Sequence, residues 1–354
     1  MHYRDISAAL QQQVLDALQD ATPLDITGGD SKSFLGHTSH ALQIDVGTHR
    51  GIVEYDPREL VLTARGGTTL EEIEAALAAA GQMLAFEPPH FGASATLGGT
   101  IACGLSGPRR PYSGSARDFV LGCKLLNGRG EILRFGGQVM KNVAGYDVSR
   151  LMAGAYGTLG ILLEISLKVL PRPAASITLA HECSPAEAIE SMSDLLSKPY
   201  PVDAACYHGD LCYLRISGSE QAVREARTKI PGEMVPEAET FWRALREHEL
   251  PFFRHRSTLY RVMVKPATPP LSIEGSWLLD WGGAQRWLYS DEDITAIRHR
   301  VELAGGHVTA FRGGNGEDEI FQPLPAPLLT IHQRLKASFD PTDIFNRGRL
   351  YANL

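Results

Sequence analysis

Glycine turns in the first half of the chain are the residues whose type and spacing point most directly to chemistry. They form four clusters, at residues 27–31, 95–102, 103–115 and 145–160. Glycine is needed where the backbone takes positive φ or lies against a ligand, and each glycine costs conformational entropy on folding. Consecutive backbone N–H groups in such turns form concave sites for anions. The clusters therefore predict a long ligand, with a pyrophosphate, threaded between backbone turns.

A nicotinamide site is the first alternative for such a ligand. The Rossmann fingerprint places Gly-x-Gly-x-x-Gly between a strand and a long helix, with an acidic residue about 20 positions later. That pattern does not occur in this sequence. The glycines are instead distributed over short turns, which favours another class of nucleotide-binding protein.

Composition excludes several other classes of function. The chain has 354 residues, a net charge of -7 and 44% hydrophobic residues, which suits about two globular domains without affinity for nucleic acid. It has no run of about 18 uncharged apolar residues, and its N-terminus lacks the apolar core of a signal peptide, so we expect a cytoplasmic protein without direct membrane insertion. Its five cysteines include no Cys-x-x-Cys, so neither disulfides nor an iron–sulfur cluster are indicated.

The elements that must position the turns can be read from periodicity and end signals. A helix over residues 7–20 with Ser7 as N-cap and a helix after the capping box at Thr69, ending at Gly81, are predicted. Asn127-Gly128 predicts a tight hairpin turn. The pair of prolines at 171 and 173 marks a domain boundary. Beyond it, alternating strands and helices indicate an α+β domain with one antiparallel sheet, completed by a helix over 326–338.

The order of the turns resembles the FAD-binding domain of the vanillyl-alcohol oxidase and p-cresol methylhydroxylase (PCMH) flavoproteins. Residues 23–30, 95–99, 107–114, 141–147 and 154–160 carry the resemblance. Residues 340–348 are similar to the Asp-Pro-x-x-x-x-Asn-Pro-Gly ending of that family, with Arg347 in place of proline. The resemblance implies an α+β protein: a PCMH-type FAD domain over 1–172, a smaller α+β cap domain with an antiparallel sheet over 173–338, and a tail over 339–354 that returns to the FAD domain.

The resemblance also assigns cofactor-binding residues. The first pyrophosphate turn is expected to consist of Thr27, Gly28, Gly29, Asp30 and Ser31. The second wall of the site is expected to contain Thr96, Leu97, Gly98, Gly99, Ala102, Ser106 and Gly107. The flavin is expected beside Gly114 and Ser115, and the adenine or the ring edge beside Gly157, Gly160 and Ile161. Relatives with covalent flavin carry a histidine inside the first turn. Here His37 and His40 lie after it, so we expect non-covalent FAD.

Residues 241–246 and 280–287, with the short length of the chain, narrow the resemblance to the smaller flavin-binding subunits of bacterial glycolate oxidases. This implies a flavin oxidoreductase subunit, inactive alone, in a complex that oxidises the small 2-hydroxy acid glycolate to glyoxylate. The partners would be a larger FAD-linked subunit and an iron–sulfur subunit, through which the chain could be peripheral to the inner membrane.

Catalytic residues are not assigned by this resemblance. Larger relatives acting on D-2-hydroxy acids carry Gly-His-x-Gly-Asp-Gly-Asn-x-His, whose histidines bind metal, whereas residues 305–315 contain only His307. His307 and Arg312 are weak candidates for substrate contact, and their alternative interpretations are a strand histidine and a surface charge. No metal site is predicted. Two further hypotheses stay open: a stand-alone oxidoreductase acting on another hydroxy acid or alcohol, and a non-catalytic assembly subunit.

Overall fold

The computed structural model of the chain describes residues 4–39, 41–137, 147–313 and 320–354. The elements up to Pro171 are, in chain order, α1 (Ser7–Gln19), β1 (Leu24–Thr27), β2 (Leu42–Asp45), β3 (Ile52–Asp56), β4 (Val61–Arg65), α2 (Leu70–Ala79), β5 (Gln82–Met83), α3 (Leu97–Cys103), α4 (Arg110–Ser113), α5 (Ala116–Phe119), β6 (Val120–Leu126), β7 (Ile132–Gly136), α6 (Val148–Leu151), β8 (Ile161–Lys168) and β9 (Leu170–Pro171).

The elements after Pro171 are β10 (Ala175–Glu182), α7 (Pro185–Leu196), β11 (Val202–His208), β12 (Leu211–Gly218), α8 (Glu220–Lys229), β13 (Glu233–Met234), α9 (Ala238–Arg246), β14 (Leu259–Met263), β15 (Ser276–Asp280), β16 (Gln285–Tyr289), α10 (Ile294–Leu303), β17 (His307–Arg312) and α11 (Ala326–Phe339). Two 3-10 helices, at Pro251–Arg254 and Trp281–Gly283, accompany them. The chain divides into two compact units: the first is Met1–Ser106, Ser115–Pro171 and Pro323–Leu354, and the second is Gly107–Gly114 and Arg172–Gln322.

The first unit is built around a five-stranded antiparallel sheet in the order β3-β4-β8-β6-β7. Helix α2 buries Leu70, Ile73 and Leu77 in the core beside this sheet, because its apolar residues recur at helical spacing. A separate parallel pair, β1 and β2, packs with α1 in a second core that contains Leu10, Ile44 and Phe345. The C-terminal end of the chain therefore belongs to the core of this unit.

The second unit contains an eight-stranded antiparallel sheet in the order β13-β10-β12-β11-β15-β16-β14-β17. Helices α7 and α8 pack on β10, β11 and β12, while Ile297 and Val301 of α10 pack with Val262, Leu288 and Val308 of the neighbouring strands. Among the described residues, these helices thus cover different parts of the sheet with apolar contacts. The predicted α+β character and antiparallel sheet of this region are confirmed.

Local end signals correctly predicted several elements. The Thr69 side chain caps α2 by accepting a hydrogen bond from the backbone N–H of Glu72, and Gly81 has the expected left-handed φ of 67° after the helix. Other elements differ from expectation. Ser7 is the first residue of α1 rather than its N-cap, and the carboxylate of Asp5 accepts its N–H at 2.9 Å.

The hairpin of β6 and β7 is present, but its turn is wider than the predicted Asn127-Gly128 turn. The Asn127 side chain accepts from the N–H groups of Arg129 and Glu131, both at 2.9 Å, and Gly130 takes the positive φ. The final helix also differs from expectation, because α11 belongs to the first unit and not to the sheet of the second. No helix within the described residues has the length and apolarity needed to cross a membrane.

Candidate cofactor site

A cavity in the first unit brings together most of the predicted cofactor residues. Segments that are far apart in the sequence form its walls, and every residue that lines it belongs to this unit. The predicted residues in the lining are Thr27, Gly28, Gly29, Asp30, Ser31, Thr96, Gly98, Gly99, Ala102, Gly157, Gly160 and Ile161. The sequence therefore located three of the cavity walls.

The first wall is the turn that follows β1. Its consecutive residues Gly28, Gly29, Asp30 and Ser31 each carry a backbone N–H that, within the described residues, donates to no protein acceptor. Asp30 holds a positive φ of 55°, and its carbonyl accepts from Ser33, which closes the turn. Such a row of free donors is a concave anion site, and it fits a diphosphate group.

A buried lysine stands beside these donors. Lys32 is 7% exposed, lines the cavity, and its Nζ donates to the hydroxyl of Ser31 at 3.3 Å and to the carbonyl of His90 at 3.1 Å. A buried ammonium lowers the free energy of an anion nearby, since little solvent screens the attraction. This lysine was not predicted, although it directly follows the predicted turn.

The close packing of the first and second walls explains two of the glycines. A Cβ on Gly29 would lie 1.5 Å from the carbonyl oxygen of Ser94, and a Cβ on Gly28 would lie 2.7 Å from Oγ1 of Thr96. The Ser94 hydroxyl also donates to the carbonyl of Gly29. Glycine at position 29 therefore allows the backbone at Ser94 to lie close to this turn, and the expected contact of Gly29 with a phosphate stays a prediction.

The second wall begins at the N-terminus of α3. Thr96 caps this helix by accepting from the N–H of Gly99, and the N–H of Gly98 donates to the carbonyl of Gly66 at 2.7 Å. Among the described residues, a Cβ on Gly99 would meet only Oγ1 of Thr96 within 4 Å, so Gly99 is open towards the cavity that it lines. Glycine here lets a ligand lie directly against the backbone.

The third wall is the segment before β8. The N–H of Gly154 donates to the carbonyl of Ile101 at 3.0 Å, and the N–H of Tyr156 donates to the carbonyl of Ala102 at 2.9 Å. This wall is therefore hydrogen-bonded to α3. Gly157 and Gly160 have φ values of 74° and 143°, which L-residues rarely adopt. These two glycines are thus required by the backbone itself.

The C-terminal tail supplies two lining residues, Asn346 and Arg349. Asn346 belongs to the ending that resembled the flavoprotein family, but Arg349 was not predicted. Arg347, which replaces the family proline, points away: its guanidinium pairs with Asp343 at 3.1 Å and it is absent from the lining. Other lining residues that sequence reasoning missed include Asp25, Gln43 and Cys103.

Five predicted residues are not part of the cavity lining. Leu97 is fully buried in the core, and Ser106 uses its hydroxyl to accept from the N–H of Ala116. Ser115 caps α5 through Asp118. The other two, Gly107 and Gly114, belong to the second unit, where the Gly107 carbonyl accepts from Nε1 of Trp281.

The candidate catalytic residues His307 and Arg312 lie at the two ends of β17 in the second unit. His307 is exposed, and no three His, Cys, Asp or Glu side chains of the described residues are grouped so that they could hold a metal ion. Gly314 and Asn315 of the same motif, the segment 141–146 and His40 lie outside the described residues. His37 is not in the cavity lining; its N–H donates to the carbonyl of Arg349.

Comparison with known proteins identifies the cofactor. Residues 6–136 match the family model described as an FAD binding domain, so the cofactor of this chain is FAD. A solved alkyldihydroxyacetonephosphate synthase shares the fold, with a TM-score of 0.67 and 15% identity over 95% of this chain and 74% of that chain. The predicted PCMH-type α+β fold is thereby confirmed.

Sequence relatives narrow the family. The Bacillus subtilis (strain 168) glycolate oxidase subunit GlcD is 36% identical over 128 residues, which cover 36% of this chain and 27% of that protein. The Escherichia coli (strain K12) glycolate oxidase subunit GlcE is 52% identical over 350 residues, which cover 99% of each chain. The chain therefore belongs to the family of the glycolate oxidase subunit GlcE.

Proposed function

We propose that this chain is the FAD-binding subunit of a complex that oxidises glycolate to glyoxylate. The observation that carries the proposal is the cavity of the first unit, whose unpaired backbone donors fit a diphosphate, in a chain 52% identical to a glycolate oxidase subunit over its whole length. When bound, FAD supplies a two-electron acceptor for the oxidation.

The residues proposed to hold FAD are those that form the three walls of the cavity. The N–H groups of residues 28–31 bind the diphosphate beside Lys32, while Gly98, Gly99 and Ala102 present backbone to the cofactor. Gly157, Gly160 and Ile161 form the opposite wall. For Leu97, Ser106 and Ser115, which belong to the first unit but lie outside the lining, the proposed role is support of the site through packing and capping. A role of Gly107 and Gly114 in binding FAD stays a prediction.

The attachment of FAD is proposed to be non-covalent, because the first turn contains Asp30, Ser31 and Lys32 and no histidine. Acid precipitation of the purified chain should release all flavin absorbance into the supernatant. Flavin fluorescence retained by the denatured protein would contradict this, and peptide mapping would then test His37 and His40.

The proposed partners are a larger FAD-linked subunit and an iron–sulfur subunit, in the cytoplasm or peripheral to the inner membrane. The relative's designation as a subunit supports a complex, and the match to a GlcD protein indicates that a second subunit shares the FAD domain. In this arrangement the chain takes part in electron transfer or assembly, while the partner with the histidine segment contacts the substrate.

The test compares the purified chain with the assembled complex. We expect deletion of the chain to abolish glycolate oxidation in cells, and we expect the flavin of the chain alone to stay oxidised when glycolate or D-lactate is added without oxygen. Rapid bleaching of that flavin would support a stand-alone oxidoreductase instead. A colourless chain that takes up no added FAD would support an assembly subunit.

A further inference from the structure

The C-terminal tail is attached to the cavity through a buried lysine. Lys336 is 6% exposed, and its Nζ donates to the carbonyls of Thr158 at 2.9 Å and Phe345 at 2.7 Å while pairing with Asp340 at 2.7 Å. The Asp340 carboxylate in turn accepts from the N–H groups of Ile344 and Phe345. Because these groups are buried and mutually satisfied, they give the tail one conformation against the third wall.

Asn346 connects two cavity walls with one side chain. Its Oδ1 accepts from the N–H of Ile26 at 2.7 Å, and its Nδ2 donates to the carbonyl of Tyr156 at 2.6 Å. The Asn346 N–H also donates to the carbonyl of Leu24 at 2.9 Å. The strand before the phosphate turn and the third wall are therefore held together by a residue of the tail.

Arg349 continues this connection to the segment after the phosphate turn. Its guanidinium donates to the carbonyls of Ser33 at 2.8 Å and His37 at 3.1 Å, and its own carbonyl accepts from the N–H of His37 at 3.0 Å. Within the part of the chain that the structure describes, these bonds use two of the five guanidinium N–H groups, so donors are left for an acceptor in the cavity that Arg349 lines.

The positive charge of Arg349 acts on the pKa of two groups that line the cavity. Burial raises the pKa of the Asp25 carboxyl and of the Cys103 thiol, and in both cases Arg349 acts in the opposite direction. Asp25 and Cys103 belong to different walls of the cavity. A cation that influences two walls is placed to attract an anionic group between them.

We propose that Arg349 binds a phosphate of FAD, so that docking of the tail and binding of FAD stabilise each other. The proposal rests on the placement of FAD in this cavity. Lys32 and Arg349 then contribute two positive charges to the cavity that the backbone donors of residues 28–31 also line. Since linkage is reciprocal, a ligand that binds the docked tail must also favour docking.

The test uses the full-length chain after removal of flavin, with Arg349→Gln compared with Arg347→Gln. A lost charge-assisted hydrogen bond should weaken FAD and ADP binding about tenfold to a hundredfold for the first variant, measured by fluorescence titration and by competition. Arg347→Gln, which removes a surface cation that pairs with Asp343, should stay within about twofold of wild type. Arg349→Lys should recover part of the affinity, because it keeps the charge.

Four further results decide the interpretation. Equal affinities in the two glutamine variants would overturn the proposal, as would an Arg349→Gln chain whose melting temperature falls by the same amount with and without FAD. FAD should slow tryptic cleavage after Arg347 in the wild type and not in Arg349→Gln, and absence of protection in the wild type would also contradict the coupling. If Gly99→Val, which fills the open side of the second wall, leaves FAD affinity unchanged, the placement of FAD itself is wrong.

Discussion

The two units differ in how their central sites are built. The lining of the cavity in the first unit includes glycines from three separate walls, among them Gly28, Gly99 and Gly157. The sheet of the second unit instead carries a side-chain cluster, in which the His248 ring stacks on Phe253 at 3.9 Å and lies edge-on to Trp287 at 4.5 Å. A backbone site requires glycine and is therefore visible in a sequence, whereas a cluster of common side chains is not.

Each unit also has its own spectroscopic probe. All four tryptophans, Trp242, Trp277, Trp281 and Trp287, belong to the second unit, and the proposed flavin site belongs to the first. Flavin content and tryptophan fluorescence can therefore be used to assign the effect of a substitution to one unit.

The largest expected effect is in the first unit. Gly29→Val should abolish FAD binding, because its Cβ would lie 1.5 Å from the carbonyl oxygen of Ser94 and the two walls would have to separate. The flavin-to-protein absorbance ratio measures the loss, while the tryptophan emission should stay as in wild type. Gly81→Val is the control: Gly81 has positive φ but no atom within 4 Å of an added Cβ, so flavin content should persist. Full flavin occupancy in Gly29→Val would show that the two walls are not needed.

The second unit should respond most strongly to the loss of Arg286. This side chain is 1% exposed and donates to the carbonyls of Gly283 at 3.0 Å, Pro269 at 2.9 Å and Thr268, and burial lowers its pKa to about 10. Arg286→Met leaves these carbonyls without a donor, which should cost about 3 kcal/mol or more.

Urea unfolding followed by tryptophan fluorescence measures this cost. The control is Arg243→Met, which removes an ion pair with Glu249 that is exposed on both sides and should change stability by less than about 1 kcal/mol. Flavin content should be unchanged in both variants. Equal urea midpoints for Arg286→Met and Arg243→Met would mean that the buried guanidinium does not stabilise the segment that contains Thr268 and Pro269.

The pH dependence of the second unit should depend on His248. Burial lowers the pKa of His248 well below its usual value, and Arg312 and Arg261 act in the same direction. The folded state then excludes a proton that the unfolded chain takes up below about pH 6.5, so stability present at neutral pH is lost as the pH falls.

For one histidine this loss is about 1.4 kcal/mol per pH unit, or about 2 kcal/mol between pH 6.5 and 5. His248→Phe should remove that part of the decrease seen by tryptophan fluorescence. His299→Phe, on the exposed side of α10, should keep the wild-type decrease. An unchanged pH profile in His248→Phe would assign the acid sensitivity to other groups.

The smallest expected effect concerns catalysis. His307 is exposed at the start of β17, so His307→Ala should lower the activity of the assembled complex less than about tenfold, below about 1.4 kcal/mol of barrier. Steady-state oxidation of glycolate measures it. A loss of about a thousandfold, with flavin and assembly intact, would make this chain the site of substrate chemistry. The second unit would then contain a catalytic residue.

Tertiary contacts explain where the sequence predictions were wrong. The dipeptide Asn127-Gly128 favours a two-residue turn, but the N–H of Gly128 donates to the carbonyl of Phe339 at the end of α11. That contact comes from more than 200 residues later in the chain, so no local pattern could reveal it. Leu97 lies in a cofactor-like motif and yet its side chain is in the core, because at 3.6 residues per turn Leu97 and Ile101 share the buried face of α3, while Gly98, Gly99 and Ala102 line the cavity.

From the sequence alone, the glycine turns predicted a ligand with a pyrophosphate, because positive φ and close backbone approach restrict such positions to glycine, and the resemblance of their order to a flavoprotein family implied FAD. Only the tertiary structure decided which partner each glycine accommodates and which side chains join them. Gly29 faces Ser94, and Asn346 reaches Ile26 across 320 positions of the chain. A positive φ is a local requirement that restricts the residue type, so it can be predicted from the sequence. The positions of the cations Lys32 and Arg349 and of the bridging Asn346 depend on how distant segments of the chain pack.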